Sequence, residues 1–238
     1  MKILPKITSQ NLLIIGFMPL VICVLGADSQ LLVGQQFVGQ AIANILAVFY
    51  FGLMLLNLRR EVQIMALVFV PFSALFECLF SLGFELYHYR LTVVPLYVPF
   101  GHGILFTTGL LLAESPIFSQ FEKWKPYILS LYGIIFGGVI LLLQDFFSGG
   151  LGLIFFWVIR RKGNRSLYLI MGLLVLYIEL IGTAFGCWTW EPKIFGLIPT
   201  TNPPFGAFIF YVLGDLGVMK VSRWLNQRFD LELYFSNN

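Results

Sequence analysis

Four ionisable residues lie inside or next to long apolar stretches of this sequence: Glu77, His102, Glu179 and Asp215. Even on the most favourable scale, an ionised side chain at the centre of a membrane helix costs about 2.5–3.5 kcal/mol, and residues kept at that cost usually take part in function. An uncharged carboxylic acid in an apolar pocket can protonate an alkene, and aromatic faces then stabilise the carbocation. The four residues therefore predict a catalytic site that acts on a lipid-soluble substrate.

The reaction that suits this set is a hydration or a cyclisation, in which water or a second double bond attacks the carbocation. Glu77 or Asp215 is the expected proton donor. His102 and Glu179 are expected to position water or to act as the second proton carrier. Each acid taken alone could instead be a protonated residue that hydrogen-bonds to a neighbouring helix.

Two segments outside the apolar runs carry the residues expected to bind the substrate. Residues 85–97 contain prolines that prevent a simple continuous helix, and residues 186–206 are rich in proline and poor in charge. The second segment is typical of an ordered lid, since a flexible linker contains more glycine, serine and charge. The candidate substrate-binding residues are Glu85, Tyr87, His88, Tyr89, Arg90, Trp188, Trp190 and Asn202.

The composition is that of a membrane protein. Hydrophobic residues make up 58% and charged residues 11% of the 238 residues, whereas a soluble domain carries about 25% charge. The length fits a single integral-membrane domain, residues 1–238. Three scattered cysteines indicate neither a disulfide framework nor a zinc site, and we expect no metal, no cofactor and no nucleic-acid partner.

Eight hydrophobic runs predict an all-α, polytopic transmembrane bundle of about eight helices. The sixth run is short, so seven helices are the alternative if the fifth and sixth form one helix. The first run lacks a small-residue cleavage site and is therefore expected to be the first helix rather than a signal peptide. The runs cover about residues 10–26, 36–58, 63–84, 95–113, 126–143, 144–159, 166–185 and 205–222.

The distribution of positive charge predicts that both termini are cytoplasmic, in a multi-pass protein of the inner (cytoplasmic) membrane. In that orientation 13 of the 15 lysines and arginines lie inside, and only Arg90 and Lys193 lie outside. Residues 225–238 are then expected at the inner surface. Three candidate catalytic residues share the outer third of the bilayer, which favours one lined cavity: Glu77, His102 and Glu179.

The chain carries a set of short motifs, in this order: Glu77, Tyr87-x-Tyr89, Pro95 and Pro99, then Gly186-x-Trp188-x-Trp190, Asn202 and Gly206. Together they resemble the membrane carotenoid-biosynthesis hydratase family, over about 50 of the 238 residues. The resemblance implies the addition of water across a terminal isoprenoid double bond. The sequence departs from the pattern where Phe84-Glu85-Leu86 replaces an expected Pro-Phe-Gly, and where His102 stands near an expected tryptophan. In size and acid-bearing helices the chain is also similar to integral-membrane terpene cyclases.

The expected function is that of an integral-membrane enzyme acting on an isoprenoid or carotenoid-like lipid. Motifs of zinc proteases, serine hydrolases and phosphate-binding loops do not occur, and two histidines cannot build a di-iron site. One alternative is a small carrier or lipid-binding protein whose acids relay protons or hold a headgroup, although the chain has no evident two-half repeat. A structural partner subunit is another alternative. The oligomeric state is left open.

Overall fold

The computed structural model describes residues 9–34, 36–115, 121–161 and 165–236. In that part of the chain, eight helices of 16 residues or more form the fold, with one helix of four residues beside them. The all-α prediction with eight long helices is confirmed. The helices are α1 Ser9–Ala27, α2 Gln30–Val33, α3 Phe37–Leu56, α4 Arg60–Glu77, α5 Tyr97–Glu114, α6 Phe121–Leu143, α7 Phe146–Arg161, α8 Arg165–Ala184 and α9 Phe208–Ser236.

The long helices differ in how well they suit a bilayer. Helix α5 packs against α1, α3, α4 and α8, so its sides face protein, where polar residues are tolerated. Helix α7 has 16 residues, fewer than the roughly 20 that a span requires. Six helical segments of the described chain are long and apolar enough to cross a membrane, which indicates a membrane protein: Gln10–Val33, Phe37–Leu56, Arg60–Gly83, Lys123–Leu143, Ser166–Ala184 and Phe205–Trp224.

Asp145 separates α6 from α7, so the fifth and sixth hydrophobic runs form two helices. Its carboxylate accepts a hydrogen bond from the backbone nitrogen of Ser148 at 2.9 Å, which satisfies a free N–H group in the first turn of α7. The preceding Gln144 has a φ of 54°. A residue in this left-handed region cannot continue a right-handed helix.

The last helix differs from its predicted bounds at both ends. Phe205–Ala207 form a single 3-10 turn, and α9 begins at Phe208. The prediction ended this helix at residue 222, but α9 continues to Ser236. Residues 225–236 contain neither proline nor glycine, so the sequence holds no residue that would end the helix there.

Two short antiparallel ribbons, which the all-α prediction did not include, lie between the helices. Strand β1 pairs with β2, and β3 pairs with β4. Successive side chains of a strand point to opposite faces. The two tyrosines of β1 and the two tryptophans of β2 are therefore buried, while the central residue of each strand is exposed. The strands are β1 Tyr87–Tyr89, β2 Trp188–Trp190, β3 Lys193–Ile194 and β4 Ile198–Pro199.

Candidate active site

The described residues line a partly open cavity of about 330 Å³ between α1, α4, α5, α8, α9 and the β1–β2 ribbon. This volume is at the lower end of the range for small-molecule sites, about 300–1,000 Å³. Most of the lining is aliphatic or phenylalanine. The polar or amphipathic side chains of the lining are Ser73, Glu77, Tyr87, Tyr89, Tyr97, His102, Glu179, Trp188, Trp190 and Tyr211.

Glu77 accepts hydrogen bonds from three side chains. Its Oε2 atom accepts from the hydroxyls of Tyr87 at 2.6 Å and Tyr89 at 2.5 Å. Its Oε1 atom lies 3.0 Å from Nε2 of His102 on α5. Glu77 is the last residue of α4 before the π-helix Cys78–Gly83, and π-helical turns are frequent at functional sites. Both carboxylate oxygens of Glu77 are thus occupied.

Glu179 of α8 is held in a different way. Its Oε2 atom accepts from the indole nitrogens of Trp188 at 2.9 Å and Trp190 at 3.1 Å. No hydrogen bond reaches Oε1 from any residue that the structure describes. The side chain is buried and lines the cavity. Glu179 therefore has one oxygen fixed by two donors and one available to a substrate.

The β1–β2 ribbon explains why the two carboxylates lie at the same end of the cavity. Tyr87 is paired with Trp190 and Tyr89 with Trp188, and the rings of the first pair are 4.6 Å apart between centroids. Each strand presents two aromatic donors on its inner face, so β1 binds Glu77 and β2 binds Glu179. In the sequence, the two strands are visible only as two aromatic-x-aromatic triplets, and nothing in the sequence shows that the triplets pair.

Burial raises the pKa of the Tyr87 and Tyr89 hydroxyls well above the usual value, and the Glu77 carboxylate raises it further. Both residues lie in β1, outside the membrane-spanning helices. A phenol with a raised pKa keeps its proton at neutral pH. Both tyrosines therefore stay hydrogen-bond donors to Glu77.

Gly182 of α8 gives Trp188 the space that it needs to reach Glu179. A Cβ atom at this position would lie 2.0 Å from Cη2 of Trp188. We expect Gly182→Ala to displace the indole, to break its bond to Glu179 and to lower stability by about 1–3 kcal/mol. Thermal unfolding in detergent and tryptophan fluorescence measure the two effects.

The matched control for this prediction is Gly137→Ala on α6. No atom lies within 4 Å of a Cβ built at Gly137, and alanine is the better helix former. This variant should be at least as stable as the wild type. Equal melting temperatures and spectra for the two variants would contradict the packing role of Gly182.

His102 connects Glu77 to Tyr211, an aromatic residue that was not predicted from the sequence to belong to the site. Its ring stacks on Tyr211 of α9, with centroids 4.7 Å apart and an angle of 19° between the planes. Tyr211 also lines the cavity. Since Glu77 binds Nε2, the histidine ring donates there and keeps Nδ1 as an acceptor. The only sequence signal for Tyr211 was its position one helical turn before Asp215.

Asp215 does not line the cavity, although it was predicted to share a site with Glu77, His102 and Glu179. It is fully buried in α9, and neither carboxylate oxygen has a hydrogen-bond partner among the described residues. Its neighbours Tyr211 and Gly214 line the cavity, whereas Asp215 does not. The structure thus brings together Glu77, His102 and Glu179 and separates Asp215 from them.

Four of the residues expected to bind substrate also lie outside the lining. Glu85 is exposed, at a turn with a φ of 51°. His88 lies on the outer face of the ribbon, with Nε2 at 2.8 Å from Glu191 Oε1. Asn202 accepts a hydrogen bond from the Trp190 backbone nitrogen at 3.1 Å and so supports β2.

Arg90, the fourth of them, is part of a buried structural network. It forms an ion pair with Asp28, and both side chains are almost fully buried, at 1% and 0% exposure. Its Nη1 atom donates to the backbone oxygen of Gly34 at 2.5 Å. The hydroxyl of Tyr97 donates to Asp28 Oδ2 at 2.9 Å. The network joins the end of α1 to β1 and α5. The sequence does not indicate this ion pair, because Asp28 lies 62 residues from Arg90.

Cys187 lies against the same network and is a structural residue. Its thiol donates to the backbone oxygen of Leu25 at 3.3 Å. Burial, followed by the nearby Asp28 carboxylate, raises the pKa of Cys187 to about 12. The thiol is therefore uncharged and a poor nucleophile at neutral pH.

Asp145 fixes the proline-rich segment of residues 186–206 to the α6–α7 turn. Its carboxylate accepts from the hydroxyls of Thr200 at 3.0 Å and Thr201 at 2.7 Å, in addition to the α7 contacts. Asp145 was not among the residues predicted from the sequence. Its position directly before a hydrophobic run, with Ser148 three residues later, was a cap signal that could have identified it.

Within the described ranges, no group of three or more histidine, cysteine, aspartate or glutamate residues could hold a metal ion. Comparison with protein-family models, with curated proteins and with solved structures finds no match for this chain.

Proposed function

We propose that this protein is an integral-membrane enzyme that protonates a carbon–carbon double bond of an apolar, isoprenoid-like lipid, leading to hydration or cyclisation. One observation supports the proposal above all. Two carboxylates with different hydrogen-bond environments face the same end of an otherwise apolar, aromatic-lined cavity. An acid and a base set apart by their environments are typical of enzymes that transfer protons.

Glu179 suits the role of proton donor. Two N–H groups fix its Oε2 atom, so a proton on Oε1 faces the cavity. Glu77 suits it less well because both its oxygens already accept hydrogen bonds. Asp215 lies outside the cavity lining. This assignment replaces the sequence-based expectation that Glu77 or Asp215 donates.

The Glu77–His102 pair suits the role of base. The carboxylate orients the ring through Nε2, as in other carboxylate–histidine pairs, and stabilises the cation that forms when the ring takes a proton. In a hydration, Glu179 transfers a proton to one alkene carbon and the other carbon becomes cationic. The oxygen of water bonds to that carbon and its proton passes to the pair, from which it returns to Glu179. The net change is one added water.

The aromatic lining would stabilise the cationic intermediate. A cation within about 6 Å of an aromatic face is attracted by the ring quadrupole, most strongly by tryptophan. Trp190 and Tyr87 pack together beside the two carboxylates. In a cyclisation an internal double bond replaces water as the attacking group, and loss of a proton to the base ends the reaction.

Lipid extracts provide the direct test. Extracts of cells with the gene, without it and with the Glu179→Gln variant would be compared by mass spectrometry. The proposal expects a substrate–product pair that differs by one water, or two isomers in a cyclisation, and the product appears only with the wild-type gene. Identical extracts in all three strains would contradict the proposal.

We also propose that all eight helices belong to the membrane domain of a cytoplasmic-membrane protein, with both termini inside. The charge distribution supports this orientation, with 13 of 15 lysines and arginines on the inner side. Reporter fusions at Lys6 and after Arg228 are both expected to read cytoplasmic. An external reading at either end would contradict the orientation and the outer location of the ribbon.

One observation favours the second candidate function, a small carrier that uses its acids for proton relay. Asp215 is fully buried without a hydrogen-bond partner among the described residues, and such groups inside a membrane are frequent in proton pathways. Asp215→Asn separates the two functions. A carrier should lose proton-coupled uptake in vesicles, whereas the enzyme should keep its product.

A further inference from the structure

We infer that the substrate enters the cavity sideways from the bilayer, between α4 and α9, and that it is the uncharged end of a long linear chain. The inference rests on the proposed function for its chemistry. Its evidence comes from the apolar lining, the charges and volume of the cavity, and the packing of two helices.

The cavity continues from the two carboxylates along an apolar wall. On α4 the lining extends from Phe69 to Glu77, a distance of about 12 Å at 1.5 Å per residue. On α9 it extends to Gly214. A volume of about 330 Å³ suits a fragment rather than a whole long-chain lipid. The remainder of such a substrate must lie outside the cavity, in the surrounding bilayer.

The contact between α4 and α9 beside the cavity is made by side chains. Phe80, just after α4, packs on Phe210 of α9 with ring centroids 4.8 Å apart. Phe72 packs toward Gly217, where a Cβ atom would lie 2.8 Å from Phe72 Cζ. Leu213, which lines the cavity, is 41% exposed on the outer surface. Only side chains separate the cavity from lipid here.

This contact holds no hydrogen bond between described residues that would have to break for it to open. In the described chain, no hydrogen bond joins residues 69–83 to residues 207–217. By contrast, the α1–α8 contact includes a hydrogen bond from the Tyr177 hydroxyl to the Met18 backbone oxygen at 2.9 Å. The outer end is covered by the β1–β2 ribbon. Entry of a chain between α4 and α9 therefore requires phenylalanine side chains to rotate but breaks no hydrogen bond between the described residues of the two helices.

The charges of the lining select against an anionic substrate. Two carboxylates line the cavity, and no lysine or arginine of the described residues does so. A phosphate group needs cationic or N–H donors, and it would be repelled by the Glu77 carboxylate. The end of the chain that reaches the carboxylates is therefore an uncharged hydrocarbon rather than a phosphorylated end.

A fluorescence experiment tests both parts of the inference without turnover. Trp124, Trp157 and Trp224 are replaced by Phe, which leaves Trp188 and Trp190 in the cavity. Dodecyl bromide is then titrated into vesicles containing the protein, because bromine quenches nearby tryptophan. We expect saturable quenching by dodecyl bromide and little by 2-bromododecyl phosphate, whose bromine lies next to the phosphorylated end.

Gly214→Phe places a ring in the entrance, since a Cβ atom there would lie 3.9 Å from both Phe69 and Phe72. We expect this variant to need about tenfold more dodecyl bromide for half-maximal quenching. Gly138→Phe on α6, where a Cβ meets no atom within 4 Å, is the matched control and should behave like its parent. If Gly214→Phe does not fold, Phe72→Ala tests the same entrance, and quenching should then need less bromide.

Three results would overturn the inference. They are equal quenching of the Gly214→Phe and Gly138→Phe proteins, an unchanged titration for Phe72→Ala, and equal quenching by the two bromides. A failure of the proposed function gives a different result. In that case the titration and its Gly214→Phe effect would be as expected, while lipid extracts of cells with and without the gene would be identical.

Discussion

Glu179→Gln should fold and bind substrate like the wild type and lose turnover by about 10²–10⁴-fold, the usual contribution of a general acid. Glutamine can accept both indole N–H bonds through its single oxygen, so the contacts to Trp188 and Trp190 can persist. Its amide group then replaces the free Oε1 atom and has no acidic proton to transfer. The measurement is product formation in membranes with matched protein levels, together with the bromide titration as a readout of binding.

The matched control for this prediction is Glu191→Gln. Glu191 directly follows β2, the strand whose tryptophans bind Glu179, but its carboxylate is 42% exposed and pairs with His88 on the face of the ribbon away from the cavity. Loss of an exposed pair of this kind changes stability by about 0–1 kcal/mol. Full activity of Glu191→Gln with loss of activity in Glu179→Gln is the expected pattern. Full activity of both variants would remove Glu179 from the reaction.

Glu77→Gln should affect both stability and turnover, whereas Glu179→Gln should affect turnover alone. All three partners of Glu77 can donate hydrogen bonds, and a glutamine would place its own NH₂ donor among them. We therefore expect Glu77→Gln to lower both stability and turnover. A buried group left without its proper partner costs about 1–3 kcal/mol.

The helices could be predicted from the sequence because a bilayer imposes a length and a composition on each span. Eight hydrophobic runs match the eight long helices, and Glu77, His102 and Glu179 line one cavity. Depth along a helix follows from counting residues. The side of the helix on which a residue lies does not follow from depth, since successive residues are rotated by about 100°. For this reason Asp215 lies outside the cavity that Tyr211 and Gly214 line.

The remaining site features depend on contacts between distant parts of the chain. Strands β1 and β2 are three residues each and about a hundred residues apart in the sequence, so neither has a pattern long enough to predict a pair. Arg90 was expected to bind substrate because it is an ionisable residue in a segment flanked by apolar runs. Its true environment depends on Asp28, which no local pattern connects with it. Tertiary packing decides such positions.

Arg90→Met should destabilise the protein by about 3–5 kcal/mol, because it leaves a buried carboxylate without its cation. Asp28 would keep the hydrogen bond from the Tyr97 hydroxyl but would lose the ion pair. The β1 strand begins only three residues before Arg90, so the tyrosines that bind Glu77 should loosen as well. Thermal unfolding in detergent measures the first effect, and activity at a temperature where the variant is folded measures the second.

Arg59→Met is the matched control, since Arg59 also pairs with a carboxylate. Its Nη2 atom lies 2.5 Å from Glu114 Oε1, but the two side chains are 58% and 42% exposed. Exposed pairs contribute about 0–1 kcal/mol, so the melting temperature of Arg59→Met should fall much less. In the double variant Asp28→Asn with Arg90→Met, part of the loss should be recovered because no unpaired charge is left in the interior. Equal effects of Arg90→Met and Arg59→Met, or strictly additive losses in the double variant, would show that burial does not strengthen the Asp28–Arg90 pair.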